Sequence, residues 1–96
     1  MFEFRGIDLN TKYIKPSTWR WLNDMAGDIY APFEGHRYDE GQGILLWTYS
    51  FDEDDEEVPE ELAIIVREAM SREWRFIVLD ADGADCELFK SYEEMW

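Results

Sequence analysis

Hydrophobic positions repeat every second residue in some stretches of this chain and every third or fourth in others. Phe2, Phe4, Ile7 and Leu9 alternate with polar neighbours, which predicts one or two short strands kinked at Gly6. Pro16 and Ser17 then open a helical stretch in which Trp19, Leu22 and Ala26 form one apolar stripe with Met25 beside it. Gly27 stands where a left-handed helix stop belongs. Residues 28–43 read as irregular, punctuated by Pro32, Gly35, Gly41 and Gly43, with a short strand expected at residues 29–31. Residues 44–51 (ILLWTYSF) are β-branched and aromatic, and apolar on both faces in their first half, which predicts a central strand. Further on, Pro59 starts a second helix whose Leu62, Ile65, Val66, Ala69 and Met70 share one face. Residues 75–79 (RFIVL) read as a strand, and Asp80, Ala81, Asp82 and Gly83 as turn chemistry. Cys86, Leu88 and Phe89 suggest a last short strand, and Tyr92, Met95 and Trp96 give the C-terminus apolar handles for docking.

This order of elements predicts an α+β domain spanning residues 1–96. Its core would be a small, mainly antiparallel sheet of three to five strands with two α-helices packed on one face. The strand–helix–strand step over residues 44–79 leaves a second arrangement open, a parallel pair joined by a right-handed crossover.

Composition changes the picture through charge. The chain of 96 residues carries 23 Asp and Glu against nine Lys and Arg, a net charge of −14. Residues 1–51 hold five basic and seven acidic side chains, whereas residues 52–96 hold four and sixteen. Such a surface repels nucleic acid and anionic membranes and attracts basic proteins. Aromatics make up 17% of the chain, enough large side chains to build a core in a small domain. The single cysteine, Cys86, forbids an internal disulfide and fits a reducing compartment. With no secretory leader visible and no long apolar run, a cytoplasmic protein is expected.

The acids concentrate in one place. Eight of the ten residues from 52 to 61 are carboxylates: Asp52, Glu53, Asp54, Asp55, Glu56, Glu57, Glu60 and Glu61. Extended, that run would span roughly 30 Å at about 3.3 Å per residue. One charge per ~4 Å is close to the ~3.4 Å spacing of phosphates along one DNA strand. The run could therefore occupy a groove built for a nucleic-acid backbone, or it could be a solvated loop that keeps the protein soluble. Asp80, Asp82, Asp85 and Glu87 form a second cluster that could widen the footprint, with Glu93 and Glu94. The second cluster does not fit a calcium loop, because its glycine comes at the fourth position and Ser91 at the twelfth. His36 has no partner at metal spacing and is expected in an exposed loop. Cys86, flanked by Asp85 and Glu87, is expected to be an unreactive, buried small hydrophobe. No phosphate loop, nucleophile elbow or dinucleotide fingerprint is present. The expectation is a protein that binds rather than catalyses, with no cofactor. Trp19 and Trp47 suit the core, whereas Trp21, off the helix stripe, and Trp96 are possible aromatic anchors for a partner.

The second half resembles a family of small uncharacterised acidic proteins carried by plasmids, phages and integrated elements. The resemblance rests on Gly43-Ile44-Leu45-Leu46-Trp47, the acidic gap, Pro59-Glu60-Glu61-Leu62, the strand from Trp74, Asp80-Ala81-Asp82-Gly83 and the terminal Trp96. In the first half it is confined to residues 14–22. It implies a mobile-element setting and a character similar to DNA-mimic inhibitors of restriction enzymes or CRISPR complexes. The implied partner is a basic nucleic-acid-binding protein, with no direct binding of nucleic acid or membrane. The alternative is an adaptor that binds through exposed aromatics, its acids serving solubility alone.

Overall fold

The computed structural model describes residues 4–38, 42–51 and 55–96. Its elements are β1 (Gly6–Asn10), α1 (Pro16–Met25), β2 (Glu34–Tyr38), β3 (Gly43–Trp47), α2 (Glu60–Ser71) and β4 (Phe76–Asp80). Short 3-10 turns follow β1 at Thr11–Tyr13 and β3 at Thr48–Ser50, and another lies near the C-terminus at Glu93–Met95. The strands form one sheet in the order β1-β4-β3-β2. The pairs β2–β3 and β3–β4 are antiparallel, and β1–β4 is parallel. The expected α+β architecture stands, and the open choice over residues 44–79 resolves as antiparallel. The helix between β3 and β4 returns the chain over one face of the sheet.

Alternation along the strands explains the layering. Leu9 of β1, Ile44 and Leu46 of β3, and Ile77 and Leu79 of β4 are fully buried. All five lie on the sheet face covered by the helices, since side chains of a strand alternate between faces. Leu62, Ile65, Val66 and Ala69 of α2 and Leu22 of α1 close the same core. Each such side chain removed from water contributes about 1.5–3 kcal/mol. Met70, expected on that face, is exposed. It belongs to the last turn of α2.

α1 begins at Pro16 as expected, where the missing N–H costs nothing. Gly27, just past its end, takes a positive φ of 82°. α2 ends in a Schellman arrangement: Trp74 N–H donates to Ala69 C=O and Glu73 N–H to Met70 C=O. The left-handed position is filled by Glu73, with φ 62°, where glycine is usual.

Several sequence expectations are corrected. Residues 29–31 form a turn, and the strand of that region is β2, which begins three residues further on. Its sequence, EGHRY, has no apolar alternation because it is an edge strand with one sparsely covered face. His36 therefore sits in a strand rather than a loop, exposed beside Glu34 at 3.7 Å. The long β-segment stops at Trp47, where the chain turns into the 3-10 segment. Cys86, Leu88 and Phe89 form no strand. Their segment is held instead by Tyr13, whose hydroxyl accepts from Cys86 N–H at 2.7 Å, and Cys86 is only partly buried. Phe2 and Gly41 fall outside the described residues.

Candidate functional site

Strand direction decides where the acids meet. β4 runs toward Asp80, and α2 ends just before β4 begins, so the N-terminus of α2 lies at the Asp80 end of the sheet. α1 also starts at this end, because it follows the terminus of β1, which is parallel to β4. Contacts confirm the gathering. Lys15 at the start of α1 donates its backbone N–H to Glu61 at the start of α2, at 3.4 Å. Lys12 pairs with Asp85 at 2.6 Å, and Tyr92 N–H donates to Lys12 C=O. The described part of the acidic run, residues 55–61, and the cluster at residues 80–87, far apart in sequence, therefore share one end of the molecule.

Their side chains do not share one role. Asp52, Glu53 and Asp54 lie outside the described residues. Glu56, Glu57, Glu60, Asp82 and Glu87 are exposed. Asp55 folds back on itself, accepting from Glu57 N–H at 2.9 Å in a tight turn before α2. Asp80 does the same with Asp82 N–H at 2.8 Å and also accepts from the Tyr38 hydroxyl at 2.8 Å. The Asp82 N–H first, then the Tyr38 hydroxyl, hold the Asp80 carboxyl below the usual carboxylate range. The hydrogen bond from Lys12 to Asp85 raises the lysine above its ordinary value.

Glu61 corrects the reading of the run as one ridge. It is 7% exposed, and its carboxylate accepts from the Thr18 hydroxyl and from Lys15 N–H. Thr18 stands in the first turn of α1, so this carboxylate also faces the positive end of that helix's dipole. Glu61 braces the two helix starts against each other and is not available to a partner. Sequence order alone hides this, because the pairing joins residues 43 apart.

The acidic end also holds cations on rings. Lys15 and Lys90 lie over the Tyr92 ring at 5.6 and 5.3 Å, and Lys12 lies over Tyr13 at 5.6 Å. Trp96 closes this end, its indole N–H donating to Ile14 C=O at 3.1 Å while the residue stays 51% exposed. It thus remains accessible as an aromatic anchor. Trp21 is half-buried: its ring packs on Phe33 at 5.5 Å, and Phe33 stacks on Phe51 at 5.2 Å. Among the described residues, no three His, Cys, Asp or Glu side chains converge as a metal set.

Sequence reasoning missed a second surface. On the sheet face away from the helices, Trp47 is bordered by Phe4, Phe76 and Tyr49, with ring centroids 6.0–6.3 Å away. Phe4 is 60% and Tyr49 61% exposed. The signal was the apolar character of β3 and β4 on both faces, which marks a central position but also leaves rings on the uncovered side. No described helix is long and apolar enough to cross a membrane.

Neither the curated proteins nor the solved structures contain a match to this chain. The C-terminal domain of the family of unknown function DUF5983 does match, over residues 6–94. That span takes in both helices, the whole sheet and both acidic clusters, more than the segments on which the resemblance rested. The chain belongs to the DUF5983 family.

Proposed function

We propose that the acidic end is a docking surface for the basic, nucleic-acid-binding face of another protein, and that the protein inhibits its target by standing in for nucleic-acid charge. A restriction enzyme or a CRISPR effector complex, met in the setting of a mobile element, fits this reading. Such targets must display Arg and Lys to hold phosphates. The observation that carries it is the convergence of the described part of the acidic run, residues 55–61, with the cluster at residues 80–87 on one end of the fold. Exposed Glu56, Glu57 and Glu60 stand at one helix start, and Asp82 and Glu87 on the neighbouring loop. Like charges so gathered repel one another, a cost more easily retained when a cationic partner relieves it.

The test is a competition assay. Labelled duplex DNA is bound to a purified restriction enzyme or CRISPR complex, and the protein is titrated in at low and at high salt. The protein should displace the duplex, with an affinity that falls steeply as salt rises. Reversal of Glu56, Glu57, Asp82 and Glu87 to Lys should abolish displacement while sparing Glu61 and the fold. Displacement by the reversed protein equal to that of the parent would sink the proposal.

The uncovered aromatic face around Trp47 supports a second reading, an adaptor that binds a protein partner through rings. Its binding would change little with salt and would weaken on Phe4→Ala or Tyr49→Ala, whereas the charge reversals would leave it intact.

A further inference from the structure

At the end of the sheet opposite the acids, the first residues before β1 and β4 are both arginines. Arg75 N–H donates to Arg5 C=O, which extends the parallel pairing by one step and sets the two side chains beside each other at about the 4.8 Å spacing of neighbouring strands. Neither makes an ion pair among the described residues, in a protein of net charge −14. Arg72, the next cation, is already held by Glu68 at 2.7 Å. Two adjacent guanidiniums repel each other, and a bound oxyanion removes that cost through forked hydrogen bonds.

These arginines line a groove of about 450 Å³ together with Tyr49, Met70, Glu73 and Trp74. The volume lies in the range that takes small organic ligands. Its lining mixes polar and apolar groups: Trp74 is half-buried, with the Arg72 guanidinium over one face of its ring at 5.4 Å, while Tyr49 and Met70 are exposed. Glu73, the one described non-glycine residue with a positive φ, is placed in the same groove by the end of α2. Its carboxylate can accept from amino or hydroxyl groups of a ligand. The distant acids do not cancel the local charge. The molecule extends 40 × 30 × 29 Å, and charges beyond about 8–10 Å are screened at physiological ionic strength.

We propose that this groove binds a small phosphorylated ligand carrying a planar ring, of mononucleotide size. Arg5 and Arg75 clamp the phosphate, and Trp74 and Tyr49 receive the ring. The site is separate from the acidic end and does not depend on its function.

Calorimetry and amide NMR with adenosine monophosphate test it, with inorganic phosphate and adenosine as separate arms. The nucleotide should bind and shift the signals of Arg5, Thr48 and Trp74, while phosphate or adenosine alone binds at least about tenfold more weakly. Arg5→Gln and Arg75→Gln should each weaken the nucleotide by about tenfold or more and leave adenosine unchanged. Arg75→Lys, which keeps the charge and loses the fork, should fall between. The same spectra report whether each variant is folded, and both arginines lie at the surface. No nucleotide binding at millimolar concentration, phosphate binding as tight as the nucleotide, or indifference to both glutamine variants would each overturn the proposal.

Discussion

Glu61 is the residue whose chemistry departs furthest from its neighbours. Among the described carboxylates of the run it alone is buried, and its value is local: it accepts from the Thr18 hydroxyl and from Lys15 N–H. Glu61→Ala strands both donors, and we expect a loss of about 1–3 kcal/mol in urea denaturation. Glu61→Gln, which keeps an acceptor oxygen, should cost less. A loss on Glu61→Ala no larger than on Glu60→Ala would contradict the bracing role. Asp80 offers a pH test. Its carboxyl is depressed in the fold, so the stability it contributes is present above its unfolded pKa and disappears as pH falls through the folded one. Tyr38→Phe removes one of the two donors responsible, and carboxyl NMR titration should find the Asp80 pKa moved upward, toward the unperturbed range.

At the scale of elements, glycines decide how closely strands and turns approach. A methyl group on Gly43 would meet the ring of Tyr38, its cross-strand partner on the edge strand β2. One on Gly83 would meet the backbone of Leu9 and Asn10. A ring on an edge strand can swing aside; a paired backbone cannot. That backbone is tied further by Asn10 N–H to Ala84 C=O at 3.0 Å and by the Asn10 amide to Ala81 C=O at 3.0 Å. Gly83→Ala should therefore cost about 1–3 kcal/mol and Gly43→Ala distinctly less, read from paired thermal melts. The helices and the two central strands were legible in sequence because their apolar periods are strong. β2 was not, because an edge strand of Glu, Gly, His, Arg and Tyr has no period to read. The supposed strand around Cys86 failed for the opposite reason: Cys86 and Phe89 pack singly, on Tyr13 and the core, without a strand to pair with, and Leu88 is exposed.

For the whole molecule, charge and topology act together. A net charge of −14 with the acids of residues 55–61 and 80–87 at one end stores repulsion that salt relieves. Raising ionic strength from about 0.01 to 0.15 M shortens the screening length from roughly 30 to 8 Å. The melting temperature should rise over that interval, and the rise should shrink when Glu56, Glu57, Asp82 and Glu87 are neutralised to Gln and Asn. A melting temperature that stays flat with salt would mean that the gathered acids do not strain the fold. The sequence by itself determined the amount of charge, the two helices, the central strands and the α+β class, since these follow from composition and local periodicity. Only the tertiary structure decided which carboxylates meet, that Glu61 turns inward, and that Arg5 lies beside Arg75. Those facts depend on strand order and direction, which bring together residues separated by most of the chain, and no local pattern encodes them.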